Sequence, residues 1–292
     1  MPLVSLTART EAWFLDEIVP AGPGATALRC PSDPLFRWGN LLVLDAPPGP
    51  GERVAWEARF AAAFADLDEV RHATFAWAGE DGALAEFAAA GYETDANVVR
   101  MAGPSDLVAP PPTPAGFALR PVTTEADWAA VEAMHLADAP PDEDPAEYRR
   151  HREARMAVYR GIQRGDRPGL QGEWFLATID DVPAGSMGVY VQGELGRFQY
   201  VHVAASHRRR GIATAMVHAV AREATRRFGA ARLLIVADEG QAADGIYARL
   251  GFRPVERYVG ACAKDLAAVR ATAGETGSTG RDDAAGPTGP LD

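Results

Sequence analysis

The chain has 292 residues, 47% of them hydrophobic, which is length enough for two domains and apolar content enough for a sizeable core. Its net charge of −11 excludes wholesale nucleic-acid binding, which needs clustered Lys and Arg to neutralise phosphate. The two cysteines, Cys30 and Cys262, exclude a disulfide scaffold and show no metal-ligand spacing; no apolar run reaches the ~20 residues that span a bilayer, and Met1 to Arg9 lack a signal-peptide pattern, so a soluble cytoplasmic protein without membrane or metal is expected.

In chain order, Asn40–Leu44 reads as a strand, Pro48–Arg53 as a loop and Val54–Phe64 as a helix, and Gly91-Tyr92 follows a short helix. Residues 110–115, with four prolines at Pro110, Pro111, Pro112 and Pro114, read as a semi-rigid linker, because proline removes donors and favours extended geometry. Beyond it, Phe117–Pro121 reads as a strand. Thr124 is a plausible N-cap, with Asp127 three residues on. A charged helix follows from about Pro145 to Arg164. Trp174–Ile179 and Ala184–Val191 read as strands joined by a turn at Asp180-Asp181-Val182-Pro183, and a second turn at Gly193–Gly196 leads into the apolar run Phe198–Val203. Then come a basic loop, Arg208-Arg209-Arg210-Gly211, and a helix whose apolar face carries Ile212, Met216, Val217, Val220, Ala221 and Ala224. Arg232–Ala237 reads as a strand, Tyr247 lies on a short helix, and Gly251-Phe252 precedes a last strand. The tail from about Ala271 to Asp292 has almost no large apolar residue and is expected to be disordered.

A strand that feeds a basic, glycine-containing loop into a helix start is an anion trap. The first helical turn has free N–H groups, the macrodipole adds positive potential, and Gly211 lets backbone approach a ligand. In an acidic protein the Arg208-Arg209-Arg210 run places positive potential where an anion would arrive. Taken alone, the same loop also reads as a basic helix start on a surface.

The order of these motifs resembles the GNAT acetyltransferase superfamily. The family's phosphate-loop signature, Gln/Arg-x-x-Gly-x-Gly/Ala, is matched by Arg208, Gly211 and Ala213, and its later Tyr-x-x-x-Gly-Phe by Tyr247, Gly251 and Phe252. The resemblance covers roughly residues 117 to 264. It implies an α/β fold with a mixed, mostly antiparallel sheet flanked by helices, acetyl-CoA as acyl donor and a primary amine of a small molecule or peptide as acceptor, in a monomer or homodimer. Arg208, Arg209, Arg210, Gly211, Ile212 and Ala213 are expected around the pyrophosphate, and backbone of Val201 and Val203 along the pantetheine arm. Thr214 is either a hydroxyl contact to phosphate or a plain first-turn residue.

An offset of 160 residues aligns Gly91 with Gly251, Phe87 with Tyr247, Phe75 with Ile235, Val43 with Val203 and Gly51 with Gly211. This reads as an internal repeat, with chance similarity as the alternative, and gives two GNAT-like halves: a degenerate one over 1–109, the 110–115 linker, a catalytic one over 116–268 and the 269–292 tail. The first copy has Pro48, Pro50 and Glu52 where the second has its basic loop, so donors are lost and negative charge is added. One degenerate and one intact half is similar to the arrangement of mycothiol-synthase-type acetyltransferases.

The resemblance places the general acid at Tyr247, a phenol that is protonated at neutral pH; the other reading is a core aromatic. The base is open. The family position falls near Arg197, which cannot take a proton. Glu194 in the preceding turn is the tentative base, with Glu173 and His202 as substitutes; strand alternation sets His202 opposite Val201 and Val203. Asp238 and Glu239 are suited to a cationic acceptor, while Phe36, Trp38 and Asn40 read as core or domain interface. A GNAT fold that senses acyl-CoA without turnover is the alternative function, and a longer thioester or a hydroxyl acceptor is a further one.

Overall fold

The computed structural model describes residues 3–110 and 112–267; the expected tail, 269–292, lies outside them. In chain order the elements are α1 (Leu6–Glu11), β1 (Glu17–Pro20), β2 (Ala25–Arg29), β3 (Leu41–Leu44), α2 (Arg53–Ala63), β4 (Ala73–Ala78), α3 (Leu84–Ala89) and β5 (Glu93–Ala102). After the proline-rich stretch come β6 (Phe117–Pro121), α4 (Glu125–Ala137), α5 (Pro145–Arg164), β7 (Leu170–Ile179), β8 (Val182–Gln192), β9 (Leu195–Val203), α6 (Ile212–Phe228), β10 (Arg232–Asp238), α7 (Ala242–Arg249) and β11 (Arg253–Ala263).

Local chemistry sets the boundaries. Thr124 Oγ1 accepts from Asp127 N at 3.2 Å while Asp127 Oδ2 accepts from Thr124 N at 3.1 Å, a reciprocal cap that starts α4. Asp144 caps α5 ahead of Pro145, and Gly165 ends it in the left-handed conformation. Asp180 and Asp181 both have positive φ, the twist a two-residue hairpin turn between β7 and β8 needs.

The strands form one sheet in the order β1-β2-β3-β4-β11-β5-β10-β9-β8-β7-β6. The last strand of each half has crossed over: β11 pairs with β4 of the first half, and β5 pairs with β10 of the second. The proline-rich stretch expected to divide the chain therefore does not divide the sheet. The 160-residue offset carries α2 onto α6, β4 onto β10, α3 onto α7 and β5 onto β11. Phe75 pairs with Ala261, and its counterpart Ile235 pairs with Arg100, one residue from symmetry. Gly51 and Gly211 share φ near +80°.

Alternation along the strands divides the core into two faces. On one face α6 and α7 cover Leu233, Ile235 and Phe252, while α2 and α3 cover Phe75, Trp77 and Val259. On the other, α4 and α5 cover Trp174, Leu176 and Tyr190, and α1 with the 30–40 segment covers Leu28, Leu41 and Tyr258. Among the described residues this second face has no first-half counterpart of the α4–α5 pair, because β1 follows α1 within a few residues.

Candidate functional site

The parallel pair β9–β10 holds only at Leu195 to Arg197 against Arg232 to Leu234. Beyond this the strands separate, and one edge of β9 faces the gap without a partner strand. A bulge makes the separation sharper. Gly188 pairs with Gln199 but Ser186 pairs with His202, so an extra residue sits in β9 and Tyr200 takes φ of 46°. Tyr190, Gly188 and Ser186 alternate onto the α5 face of β8, so their partners Arg197, Gln199 and His202 lie on that face, and the bulge turns Tyr200 there as well, near His135. Val201 and Val203 pack toward α6.

At the open end of the gap is a cleft of about 680 Å³. From β9 come Val201, His202 and Val203; from the loop and the start of α6 come Arg208, Arg209, Gly211, Ile212, Ala213 and Thr214; α7 adds Gly245, Ile246 and Arg249. Arg210 is exposed on the same loop but does not line the cleft. Arg209 and Gly211 both have positive φ, which turns successive amides inward as a nest for an anion. Among the described residues, no acceptor takes the N–H groups of Arg209 to Thr214, and no side chain caps α6.

The first copy of this loop is closed by its own carboxylates. Glu86 accepts from Gly51 N at 2.9 Å and Glu52 accepts from Gly49 N at 2.8 Å. Glu86 stands where the second half has Ile246, so an anion from the chain itself occupies the amides that are open in the second copy.

Asp138, at the end of α4, joins the loop to the interior. Its Oδ2 accepts from His202 Nε2 at 3.0 Å, Arg208 Nη2 at 2.7 Å and Ala205 N at 3.2 Å. Arg208 Nε also donates to Val203 O at 3.1 Å. With Nε2–H given to Asp138, the lone pair of His202 lies on Nδ1, which is buried and has no partner among the described residues. Burial holds His202 below its ordinary pKa, Asp138 opposes this, and Arg208 and Arg152 add to the lowering. Its ring meets His135 edge-on at 4.7 Å. No alternation or spacing marks Asp138 in the sequence; it is simply the residue after a helix.

Tyr247 is buried in the α6 face rather than lining the cleft, and its hydroxyl has no hydrogen-bond partner among the described residues. Burial, and then the charge of Asp238, push its pKa up to about 12. Glu194 is not brought to the site. It is exposed in the turn below β9, its carbonyl accepts from Ala231 N and Arg232 N, and Val201 lies seven residues further on, roughly 20 Å at strand rise. Glu173 is bound to Arg227. Arg197 is buried and held by Glu11 Oε2 at 2.6 Å and Thr10 Oγ1 at 2.7 Å. Asn40 is core, as expected: its side chain accepts from Cys30 N and donates to Asp33 O and Phe36 O.

Among the described residues no helix is long and apolar enough to cross a membrane, and no group of three His, Cys, Asp or Glu side chains is placed to hold a metal ion.

Residues 128–252 match the acetyltransferase (GNAT) family. No curated protein matches the chain. Among solved structures, a conserved protein of unknown function from Staphylococcus epidermidis ATCC 12228 superposes with a TM-score of 0.68 at 14% identity, covering 86% of this chain and 94% of that one. A GCN5-related N-acetyltransferase from Kribbella flavida gives 0.61 at 22% identity, covering 90% and 96%. A tandem GNAT protein from the clavulanic acid biosynthesis pathway gives 0.52 at 20% identity, covering 76% and 74%. At these identities the likeness is one of fold, and it extends through both halves. Taken with the family match, it follows that residues 128–252 form a GNAT domain in the C-terminal half, and that the N-terminal region shares the fold of the tandem GNAT structure.

Proposed function

We propose that this protein transfers an acetyl group from acetyl-CoA to a primary amine by direct attack, with the C-terminal half holding the donor. The observation that carries the reading is the coincidence, in one cleft, of uncapped loop amides with an unpaired edge of β9. The amides of Arg209 to Ala213 suit a pyrophosphate, and Arg208 adds a charge-assisted contact. The free edge of β9 at Val201 and Val203 suits an extended arm added like a strand.

His202, with Asp138 behind it, serves as base in place of Glu194. The amine lone pair attacks the thioester carbon, the amine proton passes to His202 Nδ1, the C–S bond breaks and Tyr247 donates a hydrogen bond or proton to the departing sulfur. Arg208 and His202 share one oxygen of Asp138. When phosphate draws Arg208 away, Asp138 is left to His202 and the Ala205 amide, and the base strengthens as the donor arrives.

The test is free-thiol release from acetyl-CoA over an amine library, followed by a pH profile in single turnover. The rate should fall on the acid side as His202 protonates, at a pH below the ordinary histidine range. Asp138→Asn should move that limb to still lower pH, and Arg208→Gln should move it up. An acid limb unmoved by both variants removes His202 as base; acetyl-CoA bound without thiol release for any amine supports the sensing module instead.

A further inference from the structure

On the second face of the sheet, where the halves meet, lies a cavity of about 290 Å³ distinct from the donor cleft. Its floor is set by the strand exchange. Asp238 of β10 pairs with Asn97 of β5, Asn97 pairs with Tyr258 of β11, and two residues along β5 Asp95 pairs with Gly260. Paired residues share a face, so Asp95 and Asp238 stand on the same side as diagonal neighbours, roughly 7 Å apart. The missing Cβ of Gly260 admits the Trp38 ring that walls the cavity: a methyl there would meet the ring at 2.4 Å and Asp95 Oδ1 at 2.9 Å. Phe36, Trp38, Tyr200 and Tyr258 give the cavity aromatic walls.

Several polar atoms on residues that line this cavity are left unpaired by the chain itself. Asp95 Oδ1 is sealed from solvent with no partner among the described residues, and its other oxygen has only Asn97 Nδ2 at 3.2 Å. Gln199 is 7% exposed, lines the same cavity, and its buried Nε2 has no partner among the described residues. No basic side chain bridges to Asp95 or Asp238 among the described residues, and the one arginine in the wall, Arg197, is committed to Glu11. Buried polar atoms are ordinarily paired, and these orphans belong to residues that line one cavity. Asp238 also acts electrostatically on Asp95 from one side and on Tyr247 from the other.

We infer that this seam cavity is the acceptor site, and that it takes a small arylalkyl primary amine, with its ammonium between Asp95 and Asp238 and its ring against Trp38 and Tyr258. The inference rests on the acetyltransferase reading for its chemistry, but not for its binding. It gives the first half a role after the loss of its own phosphate loop: the exchanged strand β5 and the 30–40 segment build a selectivity pocket that the second half lacks. A volume near 300 Å³ is at the small end of ligand sites and excludes a folded protein substrate entering it whole.

The test uses the full chain and measures binding before turnover. Phenethylamine, tryptamine and the uncharged 2-phenylethanol are titrated calorimetrically into the protein with CoA present. The amines should bind, 2-phenylethanol should bind at least tenfold more weakly, and Asp95→Asn and Asp238→Asn should each weaken the amines at least tenfold with CoA affinity unchanged. Asp95→Asn should leave thermal stability unchanged or raised, because it removes an unpaired buried charge; a merely structural Asp95 would be missed on unfolding. Equal binding of amine and alcohol, unchanged binding in both variants, or no binding of either amine overturns the inference. Amine binding that depends on both carboxylates in a protein that does not bind acetyl-CoA would sustain the pocket and overturn the acetyltransferase reading instead.

Discussion

Replacing Gly211 by valine separates the phosphate loop's conformation from its packing. A Cβ at this position meets nothing within 4 Å, so the substitution causes no clash. Its whole effect comes from φ of +80°, a conformation that costs a Cβ-bearing residue about 1–2 kcal/mol and a β-branched one more, up to about 3 kcal/mol. The loop then has two courses. It holds the native turn and the fold bears the strain, lowering Tm by roughly 2–9 °C for a chain of this size. Or it relaxes, the nest of amides opens, and the ligand must restore it, which weakens acetyl-CoA by about 5- to 150-fold. Calorimetric titration of acetyl-CoA beside thermal melts with and without ligand distinguishes the two, since native-state ligand protects by mass action. Gly211→Ala should fall between wild type and valine. A valine variant with both wild-type Tm and wild-type acetyl-CoA affinity would refute the assignment of this loop to the cofactor, because the strain would then have been relieved at no cost to binding.

Titration should give one CoA per chain, because the amides of the first loop are held by Glu86 and Glu52; two sites of like affinity would show those carboxylates to be displaceable. Tyr247→Phe keeps the buried ring and should slow the chemical step by about 10²-fold, the low end for acid catalysis, because a phenol held near pKa 12 is a weak donor; a wild-type single-turnover rate would reduce it to a packing residue. Acid should destabilise the fold early. Burial lowers His72 to about 4 and His135 to about 2, so the unfolded chain takes up protons first as pH falls below about 6.5, and the two together should remove about 3 kcal/mol between pH 7.5 and 5.5, read from urea midpoints.

The amino-acid sequence by itself determined what depends on near neighbours. The Arg208–Gly211 loop, the Thr124 cap, the 145–164 helix and the β7–β8 turn are written in residues a few positions apart, and their chemistry is the same in any surroundings. The repeat was legible for a related reason: both copies need a left-handed residue at the loop, so Gly51 and Gly211 mark the same turn.

What tertiary structure alone decided is which distant residues meet. Glu194 lies close to the site in sequence yet the rise of β9 carries it to the far end of the strand. Asp138 lies some sixty residues before His202 and Arg208 yet binds both. The exchange of β5 and β11 sets Asp95 beside Asp238, from opposite halves, with no local pattern to announce it. Strand pairing is chosen by the burial of whole faces rather than by any short motif, so the proposed donor loop could be read from the sequence, while the proposed base and acceptor pocket waited for the fold.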